Sequence, residues 1–142
     1  MYCFEFNNHC TCIAVKGEDN IIFGRNSDFL VSLEKLYMNC LYNLDSVYAF
    51  NANTTAFIEM EDGINEYGLA VGLTFIYPTI IKAGFNAGML VRYLLEKCKT
   101  IDEALSLLKN IPIASQQTLT LADRTGNIVV VECNCEEIEK RN

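Results

Sequence analysis

The stretch "CTCIAVKGEDNIIFGRNSDF", residues 10–29, decides how the chain begins to fold. Apolar runs flank Gly17-Glu18-Asp19-Asn20, a run of turn formers, so the segment is expected to be a β-hairpin. Pairing Lys16 with Ile21 places Cys12 opposite Arg25 and Cys10 opposite Ser27. Side chains alternate along a strand, so Cys10, Cys12 and Ala14 share one face. Arg25 is then one diagonal step from Cys10, within reach of a long side chain. A thiolate is a nucleophile, and a neighbouring guanidinium favours it over the thiol. His9 is adjacent in sequence and points to the opposite strand face, so it is a poor base for Cys10. A free α-amine on Cys10, exposed by cutting the His9–Cys10 bond, titrates near neutral pH and could serve instead. Against this stands the plain alternative that Cys10 and Cys12 pack inside a strand and Arg25 makes a structural ion pair.

Working outward, residues 46–75 read as two or three further strands, punctuated at Asp62-Gly63 and at Asn65-Glu66-Tyr67-Gly68. Residues 29–46 are mixed and carry no clear period. In "NAGMLVRYLLEKC" (86–98), Leu90, Val91, Leu94, Leu95 and Cys98 fall on one face, with Asn86 as N-cap, which predicts an amphipathic helix. Thr100-Ile101-Asp102-Glu103 has the capping-box pattern and opens a second helix through Leu105, Leu108 and Lys109. Pro112 closes that region. "TLTLADRTGNIVVVEC" (118–133) reads as another hairpin, turning at Asp123–Asn127. Strands, a helix pair and strands again give an α+β class, with antiparallel sheets and a covering helix pair. The tail "CEEIEKRN" (135–142) reads as charged and unclosing, which would leave an open sheet edge.

The 142 residues suit one domain, 51% of them hydrophobic. A net charge of −7 and the lack of a Lys/Arg cluster argue against nucleic acid. No run of apolar residues is long enough for a membrane span, and "MYCFEFNNHC" has no secretory n-region. Seven cysteines in no framework spacing point to free thiols in a reducing cytoplasm. Cys10-x-Cys12 with Cys133-x-Cys135 could supply four thiolates to zinc, but the spacing is tighter than a zinc knuckle and both pairs lie in strand-like runs. No cofactor and no metal are therefore expected. Gly24 reads as a close-packing or bulge position, and Gly63 and Gly68 as turn residues. Tyr67, Phe75 and Tyr77 read either as core or as the lining of an acyl pocket.

The stretch 10–29 resembles the opening of the cysteine N-terminal-nucleophile hydrolases of the choloylglycine hydrolase, penicillin acylase and acyl-CoA:6-aminopenicillanic acid acyltransferase group. In that group a mature chain starts with Cys-Thr on a strand and returns with Gly-Arg-Asn-x-Asp. "GINEYGLAVGLTFIYP" (63–78), "NAGMLVRYLLEKCKTIDEALSLLKNIP" (86–112) and the 118–133 hairpin resemble the group's following elements. The resemblance implies the N-terminal half of an αββα sandwich, with residues 1–9 as a propeptide and 10–142 as part of the hydrolase domain. It implies Cys10 as nucleophile, Arg25 and Asp28 as the active-site pair with Asp28 near the α-amine, and autocatalytic cleavage between His9 and Cys10. Thr74 stands where the group places an Asn or Tyr beside the oxyanion site. The substrate implied is a small acyl amide, cleaved at a linear amide bond or used for acyl transfer. Members of the group are about twice this long and draw an oxyanion Asn and a second Arg from their later half. The chain is thus expected to be an N-terminal part, completed by a missing C-terminal half or by homo-oligomerisation, or else an inactive precursor module.

Overall fold

The structure, a computed structural model, describes residues 10–141. Strands β1 (Cys10–Lys16) and β2 (Ile21–Ser27) form the expected hairpin. Its register pairs Lys16 with Ile21, Cys12 with Arg25 and Cys10 with Ser27, as the alternation required. A 3-10 turn over Val31–Leu36 leads into β3 (Met38–Tyr42), so the region without a clear period holds one further strand.

Strands β3, β4 (Phe50–Thr54), β5 (Asp62–Asn65), β6 (Ala70–Phe75), β7 (Gln117–Ala122), β8 (Ile128–Cys133) and β9 (Ile138–Arg141) make a seven-stranded sheet in sequential order. All pairs are antiparallel. Helices α1 (Ala87–Lys97) and α2 (Ile101–Leu108) lie between β6 and β7, which remain neighbours in the sheet. Asn86 caps α1 by accepting from Met89 N at 2.9 Å. Thr100 accepts from Glu103 N at 3.3 Å, while the Glu103 carboxylate returns to Lys99 N at 2.7 Å, one residue ahead of the position a capping box uses.

Two packing contacts order the layers. Leu90, Val91, Leu94 and Leu95 of α1 are wholly buried with Val71, Leu119, Leu121 and Val131 of the sheet. On the opposite sheet face the hairpin lies over β6, where a Cβ at Gly72 would come 2.7 Å from Cys12 Sγ and 3.0 Å from the Phe23 ring. The order is helix pair, seven-stranded sheet, hairpin. The hairpin's outer face carries Ile13, Val15 and Ile22, which are 56%, 49% and 64% exposed.

Three local expectations are corrected. Asp62-Gly63 does not turn; it opens β5, and Gly63 is needed for space, since a Cβ there would meet Ala52 Cβ at 2.7 Å and Leu95 Cδ1 at 2.8 Å. Gly24 is not a close-packing site, because its nearest neighbour would be Ile13 Cγ2 at an ordinary 3.6 Å. The charged tail does supply a further element after the 118–133 hairpin: it forms β9 on β8, with Arg141 bound to Glu132 at 2.7 Å and 2.9 Å. Charged side chains are ordinary on an edge strand, where they discourage further pairing. The turns at Gly68 (φ +85) and Gly126 (φ +92) use the left-handed conformation glycine allows. Among the described residues, no helix is long and apolar enough to cross a membrane.

Candidate active site

The inward face of β2 presents Arg25 and Ser27, and that of β1 presents Cys10. Arg25 is the centre of the arrangement, with its side chain only 3% exposed. Nη2 donates to Cys10 Sγ at 3.0 Å, and Nε donates to Leu73 O of β6 at 2.8 Å. Nη1 reaches Glu61 Oε2 at 2.9 Å and Asp62 Oδ2 at 3.4 Å. Glu61 also accepts from Ser27 Oγ at 3.0 Å and Thr55 Oγ1 at 2.8 Å, and Asp62 accepts from Asn53 Nδ2 at 2.6 Å. Burial alone would push the Arg25 guanidinium down, but Cys10, Glu61 and Asp62 outweigh it and push it up, so it stays charged.

Cys10, Arg25 and Ser27 line a cavity of about 400 Å³ whose apolar walls include Phe29, Met60, Leu73, Phe75 and Tyr77. A thiol beside a charged guanidinium, together with apolar walls, suits a small molecule that carries a polar group. A cavity of about 480 Å³ lies at the other end of the hairpin, between the turns at 17–20 and 123–126, and contains no cysteine.

The remaining cysteines divide cleanly. Cys12 lies over Gly72, and burial pushes its thiol up although the Thr120 hydroxyl and Arg25 offset part of this. Burial likewise pushes Cys133 up and Cys98 up to about 12, in keeping with their packing as small hydrophobes. All the described cysteines are free. Among the described residues, no three His, Cys, Asp or Glu side chains cluster to hold a metal.

Of the residues singled out in the sequence, the structure joins Cys10 to Arg25. Asp28 is exposed and its Oδ1 accepts from Asn26 Nδ2 at 2.9 Å. Thr74 pairs with Thr118 on β7 and is not part of the cavity wall. His9 falls outside the described residues. Phe75 and Tyr77 line the cavity, whereas Tyr67 packs edge-on against Tyr48 beneath Lys99. Sequence reading missed Glu61, Asp62, Ser27 and Thr55. No local signal marks them, because Glu61 and Asp62 meet Arg25 across 36 and 37 residues of chain.

A cysteine on the first strand of a hairpin, held by an arginine from the second and docked over a helix-backed antiparallel sheet, defines the N-terminal part of an N-terminal-nucleophile hydrolase fold. Residues 15–141 match the family of acyl-coenzyme A:6-aminopenicillanic acid acyl-transferase, and the chain belongs to this family. The match begins after Cys10. No curated protein sequence matches the chain. Among solved structures, penicillin V acylase from Agrobacterium tumefaciens is similar at 22% identity and TM-score 0.56, over 66% of this chain and 32% of that one. A mutant of conjugated bile acid hydrolase from Clostridium perfringens is similar at 18% identity and TM-score 0.63, over 93% of this chain and 50% of that one. A second variant of that hydrolase gives 18% identity and TM-score 0.55, over 96% and 43%. The chain therefore spans half or less of the length of these solved relatives.

Proposed function

We propose that this chain carries the nucleophile-bearing part of a cysteine amidase acting on small acyl amides with a linear C–N bond. The observation that carries this reading is Cys10 Sγ at 3.0 Å from a buried guanidinium, in the lining of a largely apolar cavity. Cleavage between His9 and Cys10 releases residues 1–9 and gives Cys10 a free α-amine. That amine takes the thiol proton as sulfur attacks the amide carbonyl. It then returns the proton to the departing amine, leaving a thioester on Cys10. Water, deprotonated by the same α-amine, hydrolyses the thioester to the acid. A second amine in place of water completes an acyl transfer. Arg25 orients the sulfur through the hydrogen bond that its Nη2 donates. Asp28, expected beside the α-amine, has one carboxylate oxygen, Oδ1, accepting from Asn26. The free thiols suit a reducing cytoplasm.

One observation favours a second reading, that the chain works as a non-catalytic module in a larger assembly. The hairpin's outer face leaves Ile13, Val15 and Ile22 exposed, a surface suited to self-association or to a C-terminal half.

Intact mass before and after incubation at neutral pH, followed by labelling with a thiol-directed acyl probe, tests the amidase. A species beginning at Cys10 that takes one label there is the expected result. A mass that stays at the full chain, with no label on Cys10, overturns the amidase reading and leaves the assembly module.

A further inference from the structure

Among the described residues, the Cys10 cavity has an unbalanced charge: its lining holds one cation, Arg25, and two carboxylates, Glu59 and Glu61. Glu61 is satisfied by Arg25, Ser27 and Thr55. Asp62 adds a further negative group on the same guanidinium. Glu59 differs: among the described residues no Lys or Arg pairs with it. Its Oε1 accepts from Asn86 Nδ2 at 2.6 Å, the N-cap side chain of α1. Gly88 makes room for it, since a Cβ there would come 2.6 Å from Glu59 Cβ and 3.2 Å from Oε2. The first turn of α1 has no acidic residue of its own, so Glu59 also complements the positive end of that helix. The helix contact explains why a half-buried carboxylate is tolerated; it leaves the formal charge in place.

We propose that Glu59 makes the Cys10 cavity selective by charge, favouring acyl amides whose amine portion is neutral or cationic over those that carry a carboxylate or sulfonate. The inference rests on Cys10 being the reacting group. A substrate anion would meet an arginine already neutralised by Glu61 and Asp62, together with the uncompensated carboxylate of Glu59. A cationic amine would meet a carboxylate with one oxygen open to it.

Charge-matched methanethiosulfonates test this without any turnover. In each, the Cys10 thiolate attacks the sulfenyl sulfur, a disulfide forms, and methanesulfinate leaves, while the thiol proton passes to solvent. The full chain is treated with the 2-aminoethyl, methyl and 2-sulfonatoethyl reagents at low ionic strength, and Cys10 is followed by peptide mass mapping. The cationic reagent should modify Cys10 at least roughly tenfold faster than the anionic one, and the ratio should shrink in concentrated salt. Glu59→Gln, which keeps an acceptor for Asn86, should lower the ratio at least threefold. Glu18→Gln, on the turn at the far end of the hairpin, makes the same change in net charge and should leave it unaltered. Should Glu59→Gln unfold, the salt response of the unaltered chain still decides. Equal rates for both charged reagents, or an equal fall in both variants, overturns the selectivity while leaving the nucleophile intact. No modification of Cys10 by any reagent overturns the reading of Cys10 itself, and the selectivity with it.

Discussion

Replacing Arg25 by methionine removes the cation while keeping much of the stem's volume, and the structure sets the size of the loss. Four contacts disappear together: to Leu73 O, Glu61, Asp62 and Cys10 Sγ. Breaking a buried ion pair by deleting one partner costs about 3–5 kcal/mol, because the other charge is left without compensation. Here two carboxylates are left side by side, at 18% and 11% side-chain exposure. They are not stripped bare, since Ser27 and Thr55 still donate to Glu61 and Asn53 to Asp62. The lower end, about 3 kcal/mol, is therefore expected. Glu61→Gln added to Arg25→Met should recover part of this, giving a coupling of about 2 kcal/mol between the two positions. Urea unfolding of the four proteins in the cycle measures both quantities. A loss below about 1 kcal/mol for Arg25→Met, or additivity within about 0.5 kcal/mol, would refute the view that Arg25 is held mainly by charge.

Gly72→Ala places a Cβ 2.7 Å from Cys12 Sγ and should cost about 1–3 kcal/mol by overpacking, with part recovered by Cys12→Ala; melting curves of both variants check this. Asp123→Asn weakens the acceptor for Ile101 N, Thr125 N and Thr125 Oγ1, and should cost about 2 kcal/mol at neutral pH. Burial alone would push the Asp123 carboxyl up, but the bonds from Thr125, Ile101 and Asn127 prevail and hold it below its ordinary value. A lowered folded value gives stability that is complete above about pH 4 and lost as pH falls through the folded value. The gap between the two proteins should therefore narrow below about pH 4; denaturation midpoints at pH 7 and pH 3 that differ equally would rule this out. Cys98, pushed up to about 12, should resist iodoacetamide at pH 8.5, where roughly one thiol in a thousand or fewer is ionised, and label only on unfolding.

The sequence carried the hairpin register because strand alternation and a turn of fixed length leave little freedom: the Lys16–Ile21 pairing fixes Cys10 and Arg25 at once. The helix pair was equally open to reading, through Asn86, Thr100 and the apolar face of Leu90, Leu94 and Leu95. What escaped was whatever depended on distant partners. Glu61 lies 36 residues from Arg25, and nothing local marks it as the arginine's counter-ion. Gly63 follows an aspartate and so reads as a turn, yet its role is to admit Leu95 from another layer. The tail failed for a different reason: the charges that argue against a core strand are compatible with an edge strand such as β9.

The site and the docking of the hairpin are one interaction. The hairpin meets the sheet through small contacts such as Cys12 on Gly72, while its outer face makes no packed layer with described residues. Arg25 joins the two layers with charged hydrogen bonds, linking β2 to Leu73 of β6 and to Glu61 and Asp62. The same guanidinium spends its remaining nitrogen on Cys10. Any change that loosens Arg25 thus displaces the sulfur and the layer together, so loss of reactivity on altering Arg25 cannot by itself be assigned to chemistry. Cys10 and Glu59 differ in this respect, because each touches the cavity without joining hairpin to sheet. Chemistry and architecture separate at those two positions, and a functional role at Arg25 is to be read only from variants whose unfolding has been measured alongside their reactivity.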